Sequence, residues 1–391
     1  MKICGIIAEY NPFHLGHLSQ IDYVKNVLGA EKVVVLLSGN FTQRGEVALL
    51  DKFTRAKHAV IAGADLVIEL PTVFATANAE IFAKGAVKIF DSLKVVDSIC
   101  FGVESGDEQD YIELATAMND ESKEFKKILK EKLDGGVSLA KAKFETIKAL
   151  GKDFDEKLIA SPNNILGLEY TKAILSLKSD IKIYPMQRCG DADHNDKALK
   201  KGITSATSIR EVVKTGKIKK LKKNLPKYVF SDLSTYPFDF EKLCLSSLIT
   251  ASTNDMAKIL DCTEGLENRI KALVKDNLNL AQLVEKVSTK RYTKTRIQRI
   301  ILSNLLGIES SLVFDCLESP LYAKILAINS QSKDLLTLVS NNANCPIISR
   351  KSDESLLKKK ALICYEKDLL STEIFSLIVD KKINHHQMLI I

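Results

Sequence analysis

The chain has 391 residues, more than one hydrophobic core usually organises, so two domains are expected. Hydrophobic residues make up 46%, aromatics only 6% and Trp is absent, which argues against an all-β secreted protein and for an aliphatic-rich α/β or helical one. The net charge of +7 is unevenly spread: residues 1–200 carry 26 basic against 29 acidic groups, residues 201–391 carry 30 against 20. A positive field confined to the second half suits a polyanionic partner such as RNA, although solvated lysine-rich helix faces would give the same count.

Residues 2–8 form a short apolar strand that runs into a Pro-containing loop, and a helical pattern begins at about Leu15. Apolar runs at Lys32 to Leu37, Leu66 to Leu70 and Ser98 to Val103 read as strands covered on both faces, with helices at Leu50 to Ala62 and Ala77 to Leu93 between them. This alternation predicts an α/β fold with a Rossmann-like doubly wound parallel sheet, whose ligands sit at the carboxyl ends of the strands. The stretch from Asp107 to about Leu175 is helical and charged; an extended piece from Ile181 to Met186 then leads into a loop with Arg188, Gly190, Asp191, Asp193 and His194. After the lysine-rich run Lys214 to Lys223 and Pro226 the pattern is mainly helical to about Ser340. The expected domains are therefore 1–225, nucleotide-binding, and 226–391, mainly α-helical and basic. The last fifty residues, with Pro346-Ile347-Ile348 and Ala361 to Tyr365, read as a small α+β appendage.

Eight cysteines are scattered singly, without C-x-x-C pairs or nearby His at ligand spacing, so neither a disulfide scaffold nor a protein-held metal centre is expected. The N-terminal apolar stretch is too short for a signal peptide and no segment is long enough to span a bilayer, which predicts a cytoplasmic protein with no membrane partner.

His14-Leu15-Gly16-His17 occupies the junction between the first strand and the first helix. A helix N-terminus offers unpaired N–H groups and a positive dipole end to an anion, and Gly16 lets the backbone come close. Two imidazoles at i and i+3 could then donate to phosphate oxygens as charge builds, so His14 and His17 are the candidate catalytic pair, acting by positioned electrostatics without proton transfer. A loop or simple cap would also accommodate such a tetrapeptide; the strand before it and the helix after it favour the nucleotide reading. A second half-site is suggested by Ile203 to Glu211: Ser205 and Ser208 cap a helix beginning near Ser208, and Arg210 offers a fork to pyrophosphate oxygens, or is an ordinary solvated arginine.

An H-x-G-H after strand one with a Ser/Thr-rich, Arg-bearing helix start after the last strand resembles the HIGH-motif nucleotidyltransferase superfamily. Within it, Gly5 to His17, Ser38 to Glu46, Gly63 to Pro71, Ser161 to Gly167, Glu264 to Ile270 and Thr289 to Ile297 resemble the bacterial tRNA(Met) cytidine acetate ligase family. The resemblance implies an ATP-dependent ligase: acetate attacks the α-phosphate of ATP, carried with Mg2+, and the acetyl group passes to N4 of the wobble cytidine of elongator tRNA(Met). It also implies ATP contacts along Ile7, Ala8, Glu9, Tyr10, Asn11, Pro12, Phe13, His14, Leu15, Gly16, His17, Leu18, Ser19 and Gln20, and at Gly102, one of Asn163 and Asn164, and Arg188.

Each of these positions has a plainer reading. Gly102 serves equally as a turn glycine. Asn163 or Asn164 could cap the helix beginning at Ile165, and a lone Arg188 is often a surface residue. Gln43 and Arg44 lie in a polar loop on the His-pair edge of the sheet, while Asp51, Lys52 and Arg55 open the next helix and read as well as its exposed face. Lys290, Arg291, Tyr292, Lys294 and Arg296 interleave basic groups with an aromatic and hydroxyls, which fits phosphate contact with base stacking and makes them the candidate tRNA-binding residues. Two competing functions share these features: a small-molecule adenylyltransferase of cofactor biosynthesis, and an RNA-binding protein whose nucleotide site has decayed. Nothing in the sequence fixes the oligomeric state.

Overall fold

The computed structural model describes residues 1–391 apart from 121, 138, 152, 189–203, 277, 290 and 319–320. The expected loop with Gly190, Asp191, Asp193 and His194, the residue Ile203, and Lys290 therefore lie outside the described residues.

Five parallel strands form the heart of the molecule: β1 (Ile3–Ala8), β2 (Lys32–Ser38), β3 (Leu66–Leu70), β4 (Ser98–Val103) and β5 (Lys182–Gln187), in the spatial order β5-β4-β1-β2-β3. The chain steps from β1 outward through β2 and β3, then returns to the other side of β1 for β4 and β5. The strand order thus reverses between β1 and β4, and the crevice outside their carboxyl ends is where a doubly wound sheet binds its ligand.

Alternation along β2 shows why the sheet is covered on both faces. Val33, Val35 and Leu37 join one core with Cys4, Ile6, Val67 and Cys100, whereas Val34 and Leu36 join the other with Ile3, Leu66, Ile68 and Ile99. The helices Leu15–Asn26, Lys52–Ile61 and Ala206–Lys214 contribute to the first core. The helices Ala79–Leu93 and Pro162–Leu177 pack in the second, and so does the helical region from Asp239 to Glu318, through Phe240, Cys244, Ile270, Ile297 and Ile300.

The C-terminal segment also carries strands. β6 (Ala323–Ile328) pairs antiparallel with β3, while β7 (Ile347–Ile348) and β8 (Leu389–Ile390) both pair parallel with β6, giving an eight-stranded sheet. β6 falls within the stretch read as helical, and Ala361 to Tyr365 lies inside the helix Lys359–Ile378. Rather than hanging off the end, this segment covers the edge of β3, so a chain cut at residue 225 would expose that edge.

Lys52 and Arg55 do not form an exposed helix face: both are fully buried. Asp51 caps their helix by accepting from the N–H groups of Phe53 and Thr54 at 3.0 and 2.9 Å. Arg55 then reaches across the strand ends, donating to the carbonyls of Glu9 at 2.6 Å and Ser38 at 3.1 Å as well as to that of Gly39. Burial lowers its guanidinium to about 10, still cationic at neutral pH. A buried cation that ties the end of β1 to the end of β2 fixes the floor of the crevice.

Candidate active site

At the end of β1 the chain turns through Tyr10, whose φ of +46° is left-handed, a conformation a bulky side chain rarely adopts and one found disproportionately at functional sites. This turn delivers His14 as the N-cap of the helix Leu15–Asn26. His14 Nδ1 accepts from the N–H of Gly16 at 3.1 Å, and His17 Nδ1 accepts from the N–H of His14 at 3.2 Å, a reciprocal capping box made by two imidazoles. Because each Nδ1 is an acceptor, each neutral ring carries its proton on Nε2. The rings stack with centroids 3.7 Å apart and planes 19° from parallel, so the two donors are presented side by side. Tyr10 and Phe13 pack behind His17 at 4.7 and 5.6 Å, and Gln20 Nε2 donates to the carbonyl of Cys100 at 3.1 Å, fastening the helix to β4.

A cavity of about 240 Å3 opens over these groups at the reversal point of the sheet. Ile7, Ala8, Glu9, Tyr10, Asn11, His14, Gly16, His17, Ser19, Gln20, Gly102, Asn163, Arg188 and Arg210 line it. Pro12, Phe13, Leu15, Leu18, Asn164, Ser205 and Ser208 do not.

Asn163 and Asn164 have different surroundings. The Asn164 side chain is 1% exposed; its Oδ1 accepts from the N–H of Glu104 at 2.8 Å, and its Nδ2 donates to Ser105 Oγ at 2.8 Å and to the Lys157 carbonyl at 2.7 Å. Both amide protons are engaged within the protein. Asn163 faces the cavity, its Nδ2 donating to Glu104 Oε1 at 2.6 Å. Neither caps the helix; Ser161 does, accepting from the N–H of Asn164 at 3.1 Å, with Pro162 in the first turn.

Gly102 has a different use from a turn glycine: a Cβ there would lie 3.3 Å from Arg188 Cγ, so its bare backbone lets the Arg188 stem lie over the end of β4. Opposite the His pair, Ser205 caps the helix Ala206–Lys214, accepting from the N–H of Ser208 at 3.1 Å. The helix thus starts two residues before Ser208. Arg210, 8% exposed, donates to the Asn11 carbonyl at 3.0 Å and lies 3.4 Å from Glu46. Glu9 Oε1 accepts from the N–H of Gln43 at 2.8 Å; burial raises its carboxyl above the usual range, against the lowering pull of that N–H, Arg210 and Arg44.

Sequence reasoning did not include Phe82, Phe101, Leu166, Tyr170, Met186 and Ala206 in the cavity wall. On their own elements these read as core positions, and the rings of Phe101 and Tyr170 do pack together at 5.7 Å. No periodicity separates an apolar side chain that faces a cavity from one that faces a core. Gln43 and Arg44, flagged only as loop residues, also line it.

The basic cluster of the C-terminal half is gathered around one ring. The Arg296 and Arg291 guanidiniums lie 5.0 and 5.9 Å from the Tyr292 centroid, next to the N-terminus of the helix Lys294–Leu306, which Thr293 caps. Each of its three described charges has an internal partner: Arg291 pairs with Glu264, which also accepts from Tyr292, Lys294 pairs with Glu285, and Arg296 donates to the Asp261 carbonyl at 2.9 and 2.6 Å. This helix also touches the cavity loop. Gly45, at φ +74°, packs so closely that a Cβ would lie 2.5 Å from the Gln298 carbonyl carbon and 2.6 Å from the Arg299 nitrogen.

Among the described residues no group of three or more His, Cys, Asp or Glu side chains is arranged to hold a metal ion, and no helix is long and apolar enough to cross a membrane.

Fold and site together define a nucleotide-handling enzyme, and residues 1–388 match the model of the HIGH Nucleotidyl Transferase family. The chain is 38% identical to the tRNA(Met) cytidine acetate ligase of Acetivibrio thermocellus over 96% of its own length and 94% of the relative's, and 38% identical to that of Clostridium perfringens over 96% and 95%. Over the full length of both chains it superposes on the crystal structure of apo Thermotoga maritima TmcAL with a TM-score of 0.94 at 28% identity, and on that protein bound with alpha-thio ATP with 0.91. The chain belongs to the tRNA(Met) cytidine acetate ligase family of HIGH nucleotidyl transferases.

Proposed function

We propose that the protein is an ATP-dependent ligase that activates acetate as acetyl-adenylate and transfers the acetyl group to N4 of the wobble cytidine of elongator tRNA(Met), a cytoplasmic reaction. The observation that carries the first half is the reciprocal His14/His17 cap at the strand reversal, facing Arg188 and Arg210 across one cavity. The relatives named for this activity support the second half.

In this reading ATP lies along Ile7 to Gln20 with its triphosphate between the stacked rings and Arg210. The two Nε2–H groups donate to phosphate oxygens, and the arginine forks neutralise the charge that grows as an acetate oxygen attacks the α-phosphorus and pyrophosphate leaves. Asn163, rather than Asn164, reaches the nucleotide. Magnesium is carried on the triphosphate, and no protein ligand is assigned to it.

For the tRNA we assign the cluster of Lys290, Arg291, Tyr292, Lys294 and Arg296, where RNA phosphates would displace the Glu264 and Glu285 carboxylates from their partners. The division of labour follows residue 225, with ATP chemistry before it and tRNA contact in the helical region beyond. Acetate-dependent exchange of labelled pyrophosphate into ATP, without tRNA, tests the first half directly. Exchange is expected from the intact chain, and its absence at saturating acetate would refute acetate activation.

A further inference from the structure

Acyl transfer to an exocyclic amine needs a proton acceptor. The cytidine N4 lone pair is delocalised into the ring, so the nitrogen attacks weakly. Once the N4–C bond forms, that nitrogen must lose a proton before the adduct can collapse forward. The His pair is unsuited to this, because both Nδ1 atoms already accept backbone N–H groups and the neutral rings carry their protons on Nε2.

Among the described residues Glu9 is the carboxylate that lines the cavity, and two more, Glu104 and Glu46, pair with side chains of its wall. Glu104 is held by Ser161, by Asn163 at 2.6 Å and by Arg188 at 3.7 Å, and Glu46 lies 3.4 Å from Arg210. Glu9 differs from both: the one hydrogen bond to its carboxylate among the described residues is the Gln43 N–H at 2.8 Å, received on Oε1. It directly follows the central strand, on the wall of the same cavity as the His pair. Nearby, the Tyr170 hydroxyl makes no hydrogen bond among the described residues, although its side chain is only 4% exposed and lines the same cavity.

Resting on the acetyl-transfer reading above, we propose that Glu9 is the catalytic base of the transfer step. Its carboxylate takes the N4 proton as the N4–C bond forms. The bond from the acyl carbon to the phosphoryl oxygen then breaks, and AMP departs with that electron pair. The proton on Glu9 passes to solvent, which regenerates the carboxylate. Burial raises the Glu9 carboxyl, which strengthens it as a base. The charged and titratable groups around it are Arg44 and Glu46 on the loop after β2, Arg55, Tyr170, Arg210 and the His pair.

Glu9→Gln keeps the shape and an acceptor for the Gln43 N–H but cannot take up a proton. With labelled acetate, ATP and tRNA, single-turnover transfer from enzyme-bound acetyl-adenylate is expected to fall by roughly 100- to 10,000-fold, the usual worth of a general base. Acetate-dependent pyrophosphate exchange draws on the ATP contacts of the same segment and should also fall, but by a factor at least about tenfold smaller than the loss of transfer. Glu9→Asp should recover part of the transfer rate, and the wild-type transfer rate should rise with pH to a plateau that Glu9→Gln lacks. Transfer by Glu9→Gln within about threefold of wild type would overturn the assignment, as would equal loss of exchange and transfer, which would make Glu9 part of substrate binding. A wild-type chain that makes no acetylcytidine would remove the underlying reading and this inference together; normal wild-type transfer beside an active Glu9→Gln variant removes the inference alone.

Discussion

Replacing Glu69 by Gln should cost the protein about 3–5 kcal/mol of stability, the usual consequence of stripping one partner from a fully buried ion pair. Lys52 Nζ lies 2.6 and 2.7 Å from the two Glu69 oxygens, and both side chains are 0% exposed. Lys324, also fully buried, sits opposite Glu69 in the β3–β6 register, and burial lowers its ammonium to about 8 while Glu69 pulls the other way. His385 Nδ1 lies 2.9 Å from Lys52 Nζ, which ties the C-terminal tail into the same network. Glu69→Gln leaves the shape intact but two ammoniums without that counter-charge. The chain lacks Trp, so guanidinium unfolding is best followed by far-ultraviolet circular dichroism. With a slope of roughly 6 kcal/mol/M for a chain this long, the midpoint should fall by roughly 0.5–0.8 M. Lys52→Met combined with Glu69→Leu should recover most of the loss, since apolar replacement of a whole buried pair is often neutral. A single-variant shift below about 0.2 M would show that the pair behaves like a surface one and refute the reasoning.

Other outcomes follow from the same geometry. His17→Ala should abolish acetate-dependent pyrophosphate exchange while tRNA still binds in a filter assay; unchanged exchange would contradict the assignment of the phosphate site. tRNA affinity should fall steeply between about 50 and 200 mM salt, and a salt-insensitive affinity would contradict the role given to the Arg291–Arg296 cluster. Burial raises the Asp368 carboxyl to about 7 from 3.8. An acid raised in this way favours the folded state fully below its unfolded value, and that contribution is lost as pH climbs through the folded one. Wild-type stability should therefore decline between pH 4 and 7 more than that of Asp368→Asn, and parallel pH profiles from chemical denaturation would argue against it. Gly45→Ala should lower stability and activity together, because its Cβ would meet the Gln298 and Arg299 backbone at 2.5 and 2.6 Å; a wild-type melting temperature would mean that this contact yields without cost.

The parallel strands and the His-pair helix were legible because their signals are local: apolar runs of strand length, and a glycine between two histidines at a strand-to-helix junction. β6 was not, since Ala-Lys-Ile-Leu-Ala-Ile amid helical segments has no feature that distinguishes a strand from a buried helical turn, and its partner β3 lies far earlier in the chain. Lys52 and Arg55 were read as surface because charged residues at a helix start usually are. Their partners are strand-end carbonyls and Glu69, with His385 separated from Lys52 by 333 residues, pairings that only the folded sheet creates. The cavity wall was half legible. His14, Gly16, His17 and Arg210 are marked by chemistry, but Phe82 and Tyr170 carry no mark until the cavity exists. The two asparagines could be separated only once the three protein partners of Asn164 were seen.

The central claim is an acetyl group moved to one base of one tRNA. Incubating the protein with ATP, labelled acetate and purified bacterial tRNAs, then digesting each to nucleosides, tests it most directly. The account expects labelled N4-acetylcytidine from elongator tRNA(Met), dependent on ATP and located at the wobble position. Label absent from that tRNA, while acetate-dependent pyrophosphate exchange proceeds, would contradict it.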